Sequence, residues 1–408
     1  MIFQGDTMDK AHRWLFKGVF FINFAVTLGL GVSDAFFSVF AQSLGARGAI
    51  LGAAIGFYAA SKIVFSPFMG KLSDRFGRKR LIVISLMVFL LVSLLCLSIT
   101  RVQTLIILRL MQGLGCAMFR PVVLSLVGET TLPHSRGKMV ATFDMSFYGA
   151  LSLGPLIGGI IMDQWGFDGI FVLLAGLCLA ALLVAVLLIP TDDNTARTTT
   201  MPVSANRQAR SRRSLQHSAL PGLLVFIFGR ACGIVIFVSF MPILLMSKLG
   251  LTGVEVGMVM ASTSVVMTLC LRPMGKLTDR CSRSVLVMVG GTVVSLLYVL
   301  IPLATTFHQV LVLGMAIGLF SGLSQPASTA LLVEEGQRFG TGFAVGMFNA
   351  SLNLGFVVGP VLGALLLSSE GLSSVFYVAG LCGGLAVVLF SITTRATASY
   401  GQAWHVRS

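Results

Sequence analysis

The sequence predicts an all-α membrane protein in which twelve transmembrane helices form two pseudo-symmetric six-helix bundles. Of the 408 residues, 56% are hydrophobic and 11% are charged, whereas a soluble domain carries roughly 25% charged residues. A series of apolar stretches is the second observation, because each stretch is long enough to provide the roughly 20 residues that cross a bilayer. The third is an internal repeat with one constant offset. Together these observations exclude a soluble globular protein.

The apolar stretches fall into two sets of six, separated by polar or Gly- and Pro-rich turns. The first set covers 15–41, 48–70, 81–101, 103–129, 139–163 and 168–190. The second set covers 219–247, 253–275, 284–305, 308–334, 341–367 and 372–394. The first stretch exceeds the apolar region of a signal peptide and continues through Asp34, so we expect a helix that is not cleaved off.

Four regions follow from this pattern. Residues 1–190 form an N-terminal six-helix bundle, and residues 218–395 form a C-terminal one. Between them, 191–217 is rich in Thr, Ser and Arg without apolar periodicity, which is typical of a flexible linker. Residues 396–408 are expected to form a cytoplasmic tail.

The internal repeat keeps an offset of 205 residues at four places. The segment Gly70 to Arg75 (GKLSDR) recurs as Gly275 to Arg280 (GKLTDR), and Gly154-Pro155 recurs as Gly359-Pro360. The remaining pairs are Pro121 with Pro326 and Glu129 with Glu334. Since six helices per repeat is an even number, both copies run the same way through the membrane, as in transporters with a central pathway.

The distribution of Lys and Arg residues along the chain predicts how the protein is oriented in the membrane. The net charge is +14, but no cationic domain stands outside the apolar stretches, so nucleic acid is not an expected partner. Of the 29 Lys and Arg residues, 21 lie in the N-terminus, the even-numbered loops, the linker and the tail, 3 lie in odd-numbered loops and 5 in spans. Because cytoplasmic loops collect Lys and Arg, both termini are predicted to be cytoplasmic, in a cell inner (plasma) membrane.

Three motifs carry a family resemblance. They are GKLSDRFGRKR at 70–80, LRLMQGLG at 108–115 and GALSLGPLIGG at 149–159. In their order and spacing they resemble the loop 2–3, helix-4 and helix-5 signatures of the major facilitator superfamily, within it the twelve-helix drug/proton antiporters. One departure is Cys281-Ser282, which replaces the aromatic-glycine pair expected in the second copy of the loop motif.

The resemblance implies a charge latch at the loop motif that holds the two bundles together when the protein is open outward. Its residues are Gly70, Asp74, Arg75, Gly77 and Arg78, with Asp279 and Arg280 in the second copy. The alternative is that these cations only anchor the loop at the inner headgroups.

The helix-5 motif has two interpretations. Gly154, Pro155, Gly158 and Gly159 combine a helix kink with small side chains that allow close helix contact. The resemblance implies a bend that seals the cytoplasmic-open pathway against proton leak, whereas the alternative is tight packing alone.

Ionisable residues inside spans mark candidate sites, because burying one costs about 2.5–3.5 kcal/mol. Asp34 is the only carboxylate well inside the first helix, so we expect a proton-coupling or substrate role, with a structural ion pair as the alternative. The helix-4 signature implies that Arg109 is the partner of an acidic group on helix 1, and Asp34 is the obvious one.

Three further residues are expected to line a substrate cavity. Arg120 lies 11 residues after Arg109, close to three helical turns, so both share one helix face. Asp144 and Arg230 also lie deep in their helices, although Asp144 could serve only as the partner of Arg120.

Two carboxylates lie at the predicted cytoplasmic ends of helices 4 and 10. Glu129 and Glu334 precede loops that carry Arg136 and Arg338, so inner-gate salt bridges are plausible.

These features predict a proton-coupled secondary active transporter, an exporter of small amphipathic organic compounds by alternating access. No P-loop, metal cluster or nucleophile triad is present in the sequence, so we expect no enzyme activity, no cofactor and no metal. The expected partners are a small-molecule substrate, protons and membrane lipid, and a monomer is the family default. The alternatives are a proton symporter that imports an organic anion or metal chelate, and a non-transporting sensor with the same fold.

Overall fold

The computed structural model describes residues 10–129, 136–190 and 218–405, and the regular elements in these ranges are helices. In the first half these are α1 (Lys10–Ser43), α2 (Gly48–Phe76), α3 (Arg78–Cys96), α4 (Val102–Glu129) and a continuous stretch, Arg136–Leu188. In the second half they are α7 (Leu220–Lys248), α8 (Gly253–Arg280), α9 (Arg283–Leu300) followed by a 3-10 turn (Ile301–Leu303), α10 (Phe307–Phe339), α11 (Thr341–Ser369) and α12 (Leu372–His405).

The stretch Arg136–Leu188 is two helices. Its apolar part, Thr142–Leu188, has 47 residues, and at 1.5 Å per residue it would extend about 70 Å, twice the thickness of a bilayer core. Gly166 breaks it with a non-helical backbone, φ 63° and ψ −156°. We therefore divide it into α5 (136–165) and α6 (167–188), and the described residues form the predicted twelve helices.

Two of the four expected regions, the linker and the tail, were predicted to lie outside the transmembrane helices. The linker 191–217 lies outside the described residues. The helix α12 continues to His405, past the end of its apolar span at Thr394, and so includes most of the segment expected to be a tail.

The repeat appears in the packing as well as in the sequence. Gly113 of α4 lies against the backbone carbonyl of Tyr58 in α2, and Gly318 of α10 lies against that of Thr263 in α8. Both members of the second pair are 205 residues after those of the first. The same helix contact therefore occurs in both bundles, as the pseudo-symmetric fold requires.

The bundles meet mainly through two equivalent helix pairs, α5 with α8 and α2 with α11, and to a smaller extent where α1 lies beside α7. Gly257 of α8 lies against the carbonyl of Pro155, and Gly52 of α2 lies against that of Pro360, again with an offset of 205 residues. A Cβ atom on Gly52 would be 3.0 Å from the Pro360 oxygen and 2.8 Å from the Cα of Val361. Small residues thus bring the helix backbones together, as is common between membrane helices.

These contacts lie toward one end of the molecule, where the loops after α1, α5, α7 and α11 are found. We call it the closed end, and the opposite end, where α1 begins, the open end. Val357 and Val361 of α11 face α2 at the closed end. Leu354 and Met347 share that helix face by their spacing, but they are 52% and 41% exposed. The bundles therefore separate toward the open end.

We predict that Gly257→Val loosens the closed end, because the added side chain would collide with the Pro155 carbonyl. Overpacking costs typically 1–3 kcal/mol, and about 1.4 kcal/mol is a factor of ten in an equilibrium. A cysteine introduced at Ala364, which is buried beside Gly52, reports opening when the seven native cysteines are replaced. Its labelling by a membrane-impermeant maleimide should accelerate roughly tenfold.

The matched control is Gly176→Val, since nothing lies within 4 Å of a Cβ atom at that helical glycine. Equal labelling rates in both variants would contradict the role of the Gly257 contact.

Candidate functional site

The helices α1 and α4 bring Asp34 and Arg109 into an ion pair. The Arg109 Nη1 atom donates to Asp34 Oδ1 at 2.7 Å. The Arg109 side chain is only 6% exposed, whereas that of Asp34 is 35% exposed. The carboxylate therefore lies at the surface of the N-terminal bundle and the guanidinium lies behind it.

Arg109 is held by several groups besides Asp34. Its Nη1 atom also donates to Gln112 Oε1 at 2.7 Å, and its guanidinium carbon lies 3.2 Å from the centroid of the Phe37 ring and 5.8 Å from that of Tyr58. Its Nε atom makes no hydrogen bond with a described residue. Gln112 and Phe37 thus hold Arg109 in place in addition to Asp34.

The partial exposure of Asp34 gives the pair its chemistry. One side of the Asp34 carboxylate is open, while Arg109 holds the other. Asp34 lies nine residues before the end of α1, about 14 Å from the closed end. The ion pair is therefore close to the contacts that join the bundles.

Arg120 and Asp144 are close to each other without forming an ion pair. The Arg120 guanidinium lies 3.9 Å from the centroid of the Phe147 ring, and its charge acts on Asp144. Both residues lie nearer the open end than Asp34 does, because Arg120 is 11 residues, about 16 Å, further along α4 than Arg109. The shared helix face was expected to provide one cavity, but the structure places the two arginines in separate surroundings.

Arg230 lies elsewhere, on α7. It lines a cleft inside the C-terminal bundle, with side chains from α9 and α10 on the other walls. The hydroxyl-bearing residues Tyr298 of α9 and Tyr148 of α5 are the ionisable groups that act on its charge. Tyr148 belongs to the other bundle, whereas the described walls of the cleft itself all come from the C-terminal bundle.

The loop motif forms a single-residue turn. Gly77 has φ 87° and both ends α2 and precedes α3, a conformation that favours glycine. Arg75 is exposed, Arg78 is half-buried, and Asp279 and Arg280 of the second copy are exposed. The side chain of Asp74 and the surroundings of Gly70 lie outside the described part of the structure, so the latch stays a prediction.

The predicted inner-gate carboxylates have different outcomes. Glu334 pairs with Arg283 at the start of α9, at 2.9 Å, and this ion pair lies within the C-terminal bundle. The partner suggested from the sequence, Arg338, has a side chain outside the described ones, as does Glu129. A gate between the bundles at these residues therefore stays a prediction.

The helix-5 motif packs on two sides. Gly154 and Gly158 lie against the α1 backbone at Gly31 and Val32, and Gly159 lies against Gly253 of α8. The motif therefore joins α1 to the C-terminal bundle. The structure shows the tight packing, and the sealing of the pathway stays a prediction.

Asp163 is a further candidate that the sequence analysis missed. Its two carboxylate oxygens accept hydrogen bonds from the backbone N–H groups of Gly253 and Val254 at 2.7 and 2.8 Å. The first turn of a helix has unsatisfied donors and a positive partial charge, so this carboxylate of α5 binds the start of α8 across the closed end. A carboxylate at a helix end beside a glycine turn was the only signal, and it does not identify a partner.

A model described as the Major Facilitator Superfamily matches residues 19–252 and 223–403. The chain belongs to this superfamily. Its members carry small molecules across membranes, and the apolar helices agree with a multi-pass membrane protein.

Several relatives in the superfamily have names that refer to efflux. Multidrug resistance protein 2 of Bacillus subtilis is 24% identical over 347 residues, 84% of this chain and 86% of that protein. The multi-drug resistance efflux pump PmrA of Streptococcus pneumoniae is 25% identical over 372 residues, 89% of this chain and 91% of that protein. They support the resemblance to the drug/proton antiporter group.

Solved structures show the same fold. A bacterial homologue of the human lysosomal transporter Spinster, inward-facing and unoccupied, superimposes with a TM-score of 0.75 at 14% identity, covering 96% of this chain and 97% of that one. A D-xylose-proton symporter has a TM-score of 0.73 at 16% identity, with 93% and 96% covered.

We predict that Arg109→Ala destabilises the protein much more than Arg120→Ala does. Arg109→Ala removes a buried side chain with its charged hydrogen bonds to Asp34 and Gln112, each of which contributes about 1.5–3 kcal/mol, whereas Arg120→Ala removes a half-buried cation–π contact of about 0.5–2 kcal/mol. Thermal unfolding in detergent should therefore show a far larger drop in the unfolding temperature for Arg109→Ala. Similar drops would mean that Arg109 is not held as described.

We also predict that Asp163→Ala makes the closed end easier to open, because a lost helix cap costs roughly 1 kcal/mol. Labelling of a cysteine at Ala364 should accelerate about fivefold. The control is Glu255→Ala, which removes the hydrogen bonds that the Thr252 N–H and hydroxyl donate to Glu255 Oε2 within the same helix start but leaves the contact between the bundles. Faster labelling in both variants would assign the effect to α8 itself.

Proposed function

We propose that the chain is a proton-coupled exporter of small amphipathic organic compounds, located in the cell inner membrane with both termini in the cytoplasm. The observation that carries the proposal is the Asp34–Arg109 pair, in which a partly exposed carboxylate lies against a buried guanidinium. Such a pair can take up and release a proton inside a membrane. A proton-driven transporter needs such a group, because uphill transport without nucleotide hydrolysis must use a gradient.

In this mechanism the state of the carboxylate is linked to the contacts between the bundles. Proton binding neutralises Asp34, breaks its ion pair and leaves Arg109 with Gln112. Gly31, one turn before Asp34, packs against Gly154 of the helix-5 motif, which lies beside the α5–α8 contact. A change at Asp34 can thus reach the closed end through one helix contact, and each charge moved across 100 mV supplies about 2.3 kcal/mol.

The direction of transport is inferred from two features. The helix-5 motif resembles that of exporters, and several relatives are named as efflux proteins. Under the predicted orientation the open end is cytoplasmic, which suits the entry of an exported compound. Arg120, Asp144 and Arg230 would line its path, and the loop motif around Asp74 and Gly77 would hold the bundles together in the opposite state.

A second candidate is a proton symporter. Among the deeply placed ionisable residues, three arginines (Arg109, Arg120 and Arg230) stand against two carboxylates (Asp34 and Asp144), which suits an anionic cargo. A solved structure of the same fold is described as a D-xylose-proton symporter. The two candidates differ in whether the cargo and the proton move in opposite or equal directions.

We predict that Asp34→Asn abolishes proton-coupled transport. Everted membrane vesicles are energised, and a fluorescent pH indicator follows the lumen while cationic, zwitterionic and anionic compounds are added. The wild-type protein should release protons from the lumen when a substrate is added, and Asp34→Asn should not. The matched control is Asp168→Asn, an exposed carboxylate on α6, which should behave as wild type.

Full proton-driven transport in Asp34→Asn would contradict the assignment of the coupling residue. Proton movement in the same direction as the compound would favour the symporter.

A further inference from the structure

Arg230 carries a positive charge in the interior of the C-terminal bundle, without a carboxylate beside it. It lies ten residues into α7, about 15 Å along the helix, and its side chain is half-buried. Within the described ranges it forms no ion pair or hydrogen bond. An uncompensated charge at this depth is costly and by default indicates a function.

The cleft beside Arg230 is suited to a small oxyanion. Its walls contain no carboxylate. Polar groups come from Tyr298, Ser321 and Ser324, and apolar ones from Phe226, Ile234 and Val294. The space has room only for a group of the size of a few atoms, so it would accept one functional group rather than a whole organic molecule.

Two donors in this cleft are available to a ligand. A guanidinium presents five N–H groups in a planar arrangement that matches a carboxylate. The Tyr298 hydroxyl makes no hydrogen bond with a described residue, although its ring is 4% exposed and packs near Phe237. The Ser295 hydroxyl, in contrast, donates to the Gly291 carbonyl at 2.8 Å, and Ser324 donates to Ser321.

The other interior arginine, Arg109, has neighbouring groups that compensate its charge. Arg109 has an ion pair, an amide oxygen and an aromatic ring around it. The groups that act on Arg230 are two tyrosines, and the other deep carboxylate, Asp144, is not among them. Since no carboxylate is among the described residues that line the cleft, a bound anion would supply the counter-charge of Arg230.

We propose that Arg230 and Tyr298 bind a carboxylate group of the transported compound. This inference rests on the proposed transport function and names the class of its cargo: an amphipathic monocarboxylate. The carboxylate lies in the cleft, and the apolar body extends past Tyr148 into the space between the bundles.

The test compares acids with their uncharged analogues on the purified full-length protein. The probes are benzoate, 2-naphthoate and octanoate, each beside its primary amide, and binding is measured by the rise in unfolding temperature in detergent. The carboxylates should stabilise the wild-type protein and the amides should not. In Arg230→Gln the apparent affinity for carboxylates should fall at least tenfold, with a smaller loss in Arg230→Lys, which keeps the charge without the planar donors.

Two controls separate this proposal from others. Arg272→Gln removes an exposed cation of the same bundle and should bind the acids as wild type. Asp34→Asn should also bind them, so unchanged proton-driven transport in that variant, with binding retained, would overturn only the proton assignment. If Arg230→Gln does not fold, Tyr298→Phe tests the same site and should weaken carboxylate binding severalfold.

Equal stabilisation by acids and amides would overturn the proposal. So would unchanged carboxylate affinity in folded Arg230→Gln, or no stabilisation of the wild-type protein by any acid of the panel.

Discussion

Close approach of helix backbones at glycine is the constraint on which the other features of this protein depend. Gly113 lets α4 lie on α2, and Gly31 and Gly154 let α1 lie on α5. Gly113 and Gly31 lie about one helical turn from Arg109 and Asp34, and so these contacts set the distance across which the two charged side chains meet. A Cβ atom on Gly113 or Gly154 would collide with the facing backbone and move a helix, and with it the ion pair.

Between the bundles the same constraint acts in a different way. At the closed end the glycine contacts are surrounded by one cluster of buried apolar side chains that combines both bundles, including Phe36 of α1 and Phe240 of α7, whereas a second cluster lies within the N-terminal bundle. Separating the bundles therefore exposes apolar surface, which costs about 25 cal/mol per Å² where it meets water. The hydrogen bonds of Asp163 add a polar link to this apolar contact.

Much of the fold could be predicted from the sequence, because its causes are local or repeated. Apolar length predicts each span, and the offset of 205 residues predicts two equivalent bundles, as the Gly113 and Gly318 contacts confirm. The sequence also paired Asp34 with Arg109, through the helix-4 motif. Positions of charges relative to more distant groups were not predictable in this way, because they depend on helix rotation. Helical spacing correctly placed Arg109 and Arg120 on one face, but it did not show that Phe37 surrounds one and Phe147 the other.

The partner of Asp163 lies 90 residues further along the chain, and no pattern connects a carboxylate with the backbone of a remote helix. The same holds for Glu334, whose observed partner Arg283 is not in the adjoining loop. Spacing identifies partners on one helix, but contacts between helices need the tertiary packing.

The offset of 205 residues also shows how far the two copies have diverged since they shared one sequence. At the positions equivalent to Asp34 and Arg109 stand Ser239 and Gly314, and at the position equivalent to Arg230 stands Ala25. The glycine and proline contacts survived duplication, but none of these three interior charges did. A motion in which one bundle rocks against the other needs two bundles of matching shape. Coupling the transport of two different solutes needs two different binding sites. After duplication, therefore, selection could hold the shape of both halves constant while each half specialised its chemistry.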